Sequence, residues 1–262
     1  MNLQILIPRI RDGVAIVQKS ELRWVESARP GQRLAAVYGD EVTGRFLGMV
    51  EFDAMATTGL HQHLDVAHSY FLDGGLTDYQ GSVQTGDYGL NLAGATHEAI
   101  AYRRTLTASR LDGSVLFDDD STRAPTVHTG AMRGKIQVAN SDILPDRNIN
   151  LDSLPWETTG QKLVRRRLIF DYFLTPHNRR AVCLQLLPGA QIHPFLCKGM
   201  VDIFVIGGAV LINQNLVSVG GFAVLAPEAV LQISTSYGAL LIAWADGPSQ
   251  WLESEEPDLF GF

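Results

Sequence analysis

The sequence consists largely of short apolar runs, rich in valine, isoleucine, leucine, phenylalanine and tyrosine, that are separated by glycine and aspartate. Examples are RLAAVY from Arg33, RFLGMVEF from Arg45, RRLIFDYFL from Arg166 and VDIFVIGGAVLI from Val201. Apolar residues at helical spacing are nearly absent. Many short strands with turn residues between them predict an all-β protein, built as a sandwich or a barrel.

Length and charge limit the function classes. A chain of 262 residues can form one large β domain or two of medium size. The net charge of -7 argues against a nucleic-acid partner, because neutralising phosphates requires a basic face. No stretch approaches the roughly 20 apolar residues of a transmembrane helix, and the N-terminal run, broken by Pro8, lacks the long apolar core of a secretion signal. We therefore predict a cytoplasmic protein without a membrane or nucleic-acid partner.

A weak internal repeat divides the chain. Trp24 in WVESARPGQ corresponds to Trp156 in WETTGQ, 132 residues later, and FLDGG ending at Gly75 corresponds to FVIGG ending at Gly208, 133 residues later. The segment between the two copies is polar and rich in turn residues, as a domain connection would be. A spacing this steady predicts a duplication, with an N-terminal domain at residues 1–125, a linker at 126–150 and a C-terminal domain at 151–262.

Three of the seven histidines lie within eight positions. The stretch GLHQHLDVAH holds His61, His63 and His68, and His97 follows in a second segment. On a β-strand, residues i and i+2 point to one side, so His61 and His63 can reach one metal ion from one strand. His68 can join them only if the chain turns near residues 64–66. The other histidines are isolated and are predicted not to bind metal: His128, His177 and His193.

The segment after His97, HEAIAYRR, alternates like a strand. If His97 points inward, then Ala99, Ala101 and Arg103 do so as well. Two small side chains beside a metal ligand would leave room for a bound molecule. Arg103 would then pair with a substrate carboxylate; the alternative is that it reaches solvent.

These residues resemble a known family. GLHQHLDVAHSYFLDGG followed by GDYGLNLAGATH is similar to the two motifs of the cupin superfamily, with Gly59, His61, His63 and Gly74 in the first motif and Gly86, Gly94 and His97 in the second. The first half most resembles the ChrR-like cupins and the related acetylacetone and dihydroxyacetophenone dioxygenases. The resemblance implies two tandem cupin barrels, that is, double-stranded β-helices or jelly rolls.

The metal motif departs from the family pattern at its acidic ligand. The position of the usual glutamate holds His68, or Ala67 if the shorter spacing applies. A four-histidine ligand set would then replace three histidines and a glutamate. His68 can instead be a pocket residue, and Asp65 and Asp78 are carboxylates that could stand in.

The second copy lacks the metal motif. Phe195 and Cys197 stand at the positions of His61 and His63, and Leu231 or Gln232 stands at that of His97. Phenylalanine and leucine cannot bind a metal but can fill a small barrel. We therefore predict one metal site per chain, in the first half.

The resemblance implies a metal-dependent dioxygenase that cleaves a carbon–carbon bond in a small diketone or hydroxy-ketone. Neutral imidazoles favour an anionic or enolisable substrate, and they suit Fe(II), the metal that the resemblance favours, as well as Zn, Ni and Cu. Tyr70, on the same side of its strand as His68, is a candidate hydrogen-bond donor to substrate. The alternatives are a non-catalytic ChrR-like sensing cupin and a cupin isomerase or hydrolase. Exposed sheet edges favour a homodimer, and the apolar segment near residues 2–18 is predicted to add a strand to one of the sheets.

Overall fold

The structure, a computed structural model, describes residues 13–78, 81–117, 146–171, 178–253 and 255–262. Within these ranges the chain forms β-strands and two short 3-10 helices, Lys19–Glu21 and Leu151–Ser153, and no α-helix. The prediction of an all-β protein is confirmed. In the described part of the chain, no helix has the length and apolar character needed to cross a membrane. His128 and His177 lie outside the described residues.

The chain divides into two compact units. Among the described residues, unit 1 comprises 23–151 and unit 2 comprises 13–22 with 152–262. The strands of unit 1 are β2 (Val25–Glu26), β3 (Gln32–Gly39), β4 (Phe46–Phe52), β5 (His61–His63), β6 (Ala67–Asp73), β7 (Gly75–Asp78), β8 (Gly81–Gln84), β9 (Asp87–Asn91), β10 (Thr96–His97), β11 (Thr105–Leu111), β12 (Val115–Phe117) and β13 (Asp146–Asn150). The strands of unit 2 are β1 (Val14–Val17), β14 (Glu157–Thr158), β15 (Val164–Asp171), β16 (Arg180–Leu186), β17 (Gln191–Cys197), β18 (Val201–Ile212), β19 (Asn215–Ser218), β20 (Phe222–Leu225), β21 (Val230–Ser234), β22 (Ala239–Ala245) and β23 (Ser249–Trp251).

Antiparallel pairing builds both units. In unit 1 the described strands form a sheet in the order β13-β9-β6-β11-β4-β3-β2, a small sheet in the order β10-β5-β12, and the hairpin β7-β8. In unit 2 the main path is β14-β15-β16-β22-β18-β21-β17-β23, and β19 and β20 pair with β18. β1 pairs with β20, so the N-terminal segment adds a strand to a sheet, as expected. Of the predicted linker, residues 146–150 form β13 and pair with β9 in unit 1, and residues 126–145 lie outside the described part.

The strand registers relate the two units residue by residue. In β6 the extra residue of a bulge is Leu72, opposite β11, and in β18 it is Ile206, opposite β22. Gly74 and Gly208 follow these bulges with φ angles of 74° and 71°, and a Cβ on either would collide with a backbone carbonyl oxygen. Equivalent residues of the two units therefore differ by 134 in residue number here. This is one more than the 133 obtained by aligning FLDGG with FVIGG in the sequence.

Unit 2 has a continuous apolar core. Alternate residues of β16, β18 and β22 point into it, as expected for strands buried on one face. It also includes Phe195, Cys197, Leu231 and Trp251 from the sheet layer formed by β17, β21 and β23. Each fully buried large apolar side chain contributes about 1.5–3 kcal/mol to folding. These four residues mark the inner side of the barrel, which makes unit 2 a reference for the interior of unit 1.

Candidate metal centre

Three histidines converge inside unit 1. β10 pairs with β5 so that His97 lies opposite His61, and the two-residue period of β5 places His63 on the same side as His61. The Nε2 atom of His63 lies 3.1 Å from Nε2 of His61 and 3.1 Å from Nε2 of His97. All three side chains are buried. The structure thus brings together three of the four histidines that the sequence proposed as ligands, and they form a cluster that could hold a metal ion.

The outer nitrogens of two of these rings are held by hydrogen bonds. Nδ1 of His61 donates to the carbonyl oxygen of Gly59 at 2.7 Å, and Nδ1 of His97 lies 3.3 Å from Oδ2 of Asp78. Both partners accept hydrogen bonds, so in the neutral rings the proton sits on Nδ1 and Nε2 presents a lone pair. Such partners fix the tautomer and orientation of metal-binding histidines. From the sequence, Asp78 was a possible substitute for the acidic ligand. In the structure its carboxylate contacts the outer nitrogen of His97, Nδ1, and not the inner nitrogens of the cluster.

The electrostatics of the cluster favour a cation. Because His61 and His97 carry their protons on Nδ1, only His63 could place a hydrogen between the inner nitrogens, and one hydrogen cannot satisfy both 3.1 Å contacts. Burial, with a smaller contribution from His97, lowers the pKa of His61 to about 3. Burial also holds the pKa of His63 well below its usual range. Three neutral imidazoles with converging lone pairs match the donor set of Fe, Ni, Cu or Zn sites.

His68 lies apart from this cluster. Its Nδ1 forms a 2.8 Å hydrogen bond with the hydroxyl of Tyr88, and its Nε2 lies 3.7 Å from Oδ2 of Asp112. Arg110 Nε in turn lies 2.9 Å from Oδ1 of Asp112. All four side chains are almost completely buried. Among the described residues, the metal-capable group contains three histidines and not four.

Strand alternation explains why His68 is excluded. β6 pairs with β9 and β11 as β18 pairs with β20 and β22, so at an offset of 134 Ala67 corresponds to Val201 and His68 to Asp202. Val201 belongs to the interior core of unit 2. Ala67 is therefore the inward residue, which corresponds to the shorter of the two motif spacings considered from the sequence.

Neither predicted catalytic residue joins the histidines. Tyr70 shares the face of His68, since the two are separated by one residue in β6. Arg103 is exposed, and its Nη2 donates to the carbonyl oxygen of Gly74 at 3.1 Å. Of the two possibilities that the sequence left open for Arg103, the structure has the solvent-exposed one, because β10 ends at His97 and the alternation assumed for the following residues does not continue. Ala99 and Ala101 are buried, and their backbone groups form hydrogen bonds with residues 55–58.

Several inward residues of the main sheet are more exposed in unit 1 than in unit 2. Five inward residues of the main sheet in unit 2 are each at most 1% exposed: Leu184, Ile203, Ala223, Leu225 and Ala245. The corresponding residues of unit 1 are all partly accessible: Val50, Ser69, Gly89, Asn91 and Leu111. At several of these positions unit 1 has a smaller or more polar residue than unit 2, for example Ser69 in place of Ile203 and Asn91 in place of Leu225.

A chain of hydroxyl groups lies on this inward face. Ser109 Oγ is 2.9 Å from both Ser69 Oγ and Thr107 Oγ1. The corresponding residues of unit 2 are Ile203, Leu241 and Ala243, which are part of its apolar core. These hydroxyls are not among the site residues predicted from the sequence, although serine and threonine at inward positions of two neighbouring strands could have indicated them.

The histidine positions of unit 2 are occupied by apolar residues. Phe195 pairs with Leu231 as His61 pairs with His97, and Cys197 corresponds to His63. All three are completely buried in the core. Burial raises the pKa of Cys197 to about 12, so the thiol stays protonated and is a poor metal ligand.

Comparisons with known proteins support the same fold. Residues 12–113 match the ChrR cupin-like domain family. A putative dioxygenase from Nostoc punctiforme superposes with a TM-score of 0.71 at 10% identity, covering 96% of this chain and 87% of that one. Salicylate 1,2-dioxygenase from Pseudoaminobacter salicylatoxidans, in adducts with gentisate, gives 0.65 at 13% identity, covering 96% and 88%. Oxalate decarboxylase from Lactobacillus farciminis, in a formate complex, gives 0.61 at 12% identity, covering 90% and 88%.

No curated protein matches the sequence significantly. The sequence identities to these solved structures are too low for an activity to be transferred to this chain. The similarities therefore concern the fold alone. The chain folds as two tandem cupin barrels, as the sequence motifs predicted. The first of these barrels contains a three-histidine cluster that could bind a metal.

Proposed function

We propose that the protein is a metal-dependent dioxygenase that cleaves a carbon–carbon bond in a small diketone or hydroxy-ketone, with Fe(II) held by His61, His63 and His97. The observation that carries the proposal is the convergence of three Nε2 atoms in unit 1, where several inward residues of the main sheet are partly accessible. A closed structural site would have a fourth protein ligand, whereas catalytic sites keep positions open for substrate. Ala67 stands where a fourth ligand would be.

The ligand set defines the substrate class. Three neutral imidazoles leave both positive charges of a divalent ion uncompensated, so anionic, oxygen-rich ligands such as enolates are favoured. Bound iron would supply the capacity to activate the substrate and dioxygen. Zn, Ni and Cu also suit imidazole ligands, and the choice among them depends on geometry and availability.

The chain's own residues would orient the substrate and protect it from water. Asp78 holds the ring of His97 in one orientation. The hydroxyls of Ser69, Thr107 and Ser109 can donate hydrogen bonds to the oxygens of a bound ligand. The three histidines are themselves buried, which limits the access of bulk water to their side chains and strengthens polar interactions beside them.

Oxygen consumption tests the proposal. The protein loaded anaerobically with Fe(II) is mixed with 2,4-pentanedione or a small hydroxy-ketone, and oxygen uptake is followed together with the acid products. We expect uptake that is lost in His61→Ala and retained in His193→Ala, a change at an exposed histidine in unit 2. Absence of uptake across both substrate classes, with iron bound, would refute the dioxygenase; turnover without oxygen would instead indicate an isomerase or hydrolase.

A sensing role is the second candidate. It is favoured by the match of residues 12–113 to the ChrR cupin-like domain, since cupins of this kind can regulate a partner rather than catalyse a reaction. The two candidates differ in what the metal-loaded protein does to a bound ligand. A sensor would bind and release the ligand unchanged, and mass spectrometry of the ligand after prolonged incubation in air separates the two outcomes.

A further inference from the structure

A groove lies against the β7–β8 hairpin of unit 1. Its volume is about 530 Å³, which is within the range of small-molecule sites. The lining includes one face of the hairpin and two residues of the segment that leads into β11. These residues are Gly75, Thr77, Ser82 and Gln84 from the hairpin, and Tyr102 and Arg103 from the segment.

This face of the hairpin is the outer one. In unit 2, β18 and β19 pair in the same register at an offset of 134 residues, and Val210 points into the core. The corresponding Leu76 therefore points inward, and so does Asp78, which contacts His97. Thr77 lies between them and faces the other way. The groove and the histidine cluster are thus on opposite faces of β7.

The groove combines one cation with neutral hydrogen-bonding groups. Oγ1 of Thr77 and Oγ of Ser82 are 2.8 Å apart, so one hydroxyl proton lies between them and the other can be donated to a ligand. The exposed side chain of Gln84 adds an amide donor and acceptor. Nη2 of Arg103 donates to the carbonyl oxygen of Gly74 at 3.1 Å, which fixes the guanidinium at the groove. A guanidinium has five N–H groups, so this one bond leaves others that can reach a ligand.

Unit 2 has an apolar surface at the same place. Leu211 and Leu216 replace the two hydroxyl residues, and they are 38% and 53% exposed. The offset of 134 holds on both sides of Arg103, so Tyr237 is its counterpart. The hydroxyl pair and the cation therefore occur together in unit 1 and are both replaced in unit 2, as expected for a binding site that one unit has and the other lacks.

We propose that this groove is a second binding site of unit 1, for a small polyhydroxylated anion such as a sugar acid or a sugar phosphate. The anionic group accepts hydrogen bonds from Arg103, whose planar fork of N–H groups suits carboxylates and phosphates. The hydroxyl groups of the ligand bond to Thr77, Ser82 and Gln84. The ring of Tyr102, which is 63% exposed, packs against its carbon atoms. Binding here needs no metal and does not depend on the proposed dioxygenase activity.

Isothermal titration of the whole chain, with and without bound Zn(II), tests this proposal. The probes are sorbitol, gluconate and sorbitol 6-phosphate, which share a six-carbon polyol chain and differ in their charged group. We expect at least one of the two anions to bind at least about 10-fold more tightly than sorbitol, as for a hydrogen bond to a charged group, and equally with and without Zn(II). The tighter of the two anions identifies the ligand as a sugar acid or a sugar phosphate. Arg103→Met should remove the preference, and Arg103→Lys should retain part of it.

A second variant tests the hydroxyl pair. Thr77→Leu combined with Ser82→Leu introduces the residues of unit 2 at the outer face of the hairpin, and it should weaken the binding of all probes. Arg23→Met is the matched control, because it removes an exposed arginine of unit 1 that does not line the groove, and it should keep the preference. His61→Ala should also keep it. The proposal is overturned if the wild type binds no anionic probe or shows no preference for one, if Arg103→Met retains the preference, or if His61→Ala loses it.

Discussion

Ala67 and His68 are neighbours in β6, and their side chains lie on opposite faces of the sheet. Ala67 shares the inward face with Ser69, and His68 faces Tyr88 and Asp112. The position that holds glutamate in the family motif is therefore occupied by a methyl group in this chain. The imidazole next to it belongs to a buried polar network on the other side of the sheet.

Ala67→Glu should add a fourth ligand to the candidate metal centre. The new carboxylate would extend toward the histidines into space that Ser69 shows to be accessible. We expect metal release to slow by at least about 10-fold, on the scale of changes in supporting groups, and diketone binding to weaken because the open position is filled. Competition with a chelator measures the release rate. His193→Glu adds a carboxylate at an exposed site and should change neither quantity; unchanged release in Ala67→Glu would contradict the assigned face.

His68→Ala should lower stability and leave metal content unchanged. The substitution removes the hydrogen bond between the Tyr88 hydroxyl and His68. It also removes the imidazole that lies beside the buried carboxylate of Asp112. An orphaned buried group costs about 1–3 kcal/mol, so we expect the free energy of unfolding of unit 1 to fall by at least about 2 kcal/mol. Urea denaturation and metal analysis check the two parts. Loss of metal from the folded variant would show that His68 is a ligand after all.

The three-histidine cluster could be predicted from the sequence because the alternation of side chains along a strand depends only on neighbouring residues. The two-residue period of a strand was enough to place His61 and His63 together, and the second motif supplied His97. Position 67 or 68 could not be chosen from sequence, because both spacings satisfy the motif and a shift of one residue reverses the face of a side chain. The exposure of Arg103 could not be chosen from sequence either, because the short length of β10 depends on tertiary packing.

Asp78→Asn should weaken metal binding without removing a ligand. The carboxylate accepts a hydrogen bond from His97 Nδ1, which orients the ring and increases the donor strength of Nε2. An asparagine of the same size lacks the charge, so we expect metal affinity to fall about 10–100-fold. Isothermal titration with Zn(II) measures the affinity. Asp65→Asn is the control, because the Asp65 carboxylate accepts a hydrogen bond from the backbone N–H of Val66 and is not part of the three-histidine group; equal losses in both variants would contradict the role of Asp78.

Metal should bind at one site per chain and stabilise unit 1. Phe195 and Leu231 provide no ligand atoms in unit 2, and the protonated Cys197 is a poor one. A ligand that binds only the folded state raises stability by RT ln(1 + [L]/Kd), about 2.7 kcal/mol at a hundredfold excess over Kd. Chelation should therefore lower the melting temperature of the wild type and not that of His61→Ala. Two tightly held metal ions per chain by elemental analysis would contradict this assignment.

The two buried cysteines should make stability and thiol reactivity depend on alkaline pH. Burial raises the pKa of Cys183 and of Cys197 to about 12, from about 9 in the unfolded chain. The folded state therefore retains protons that the unfolded state loses, so this contribution to stability is complete below pH 9 and declines as the pH rises toward 12. Because only the thiolate reacts, we expect almost no labelling of the native protein by a thiol reagent at pH 8, and two labelled thiols in urea. Cys197→Ala should reduce the count in urea to one; rapid labelling of the native wild type at pH 8 would show that these thiols are not buried in the folded protein.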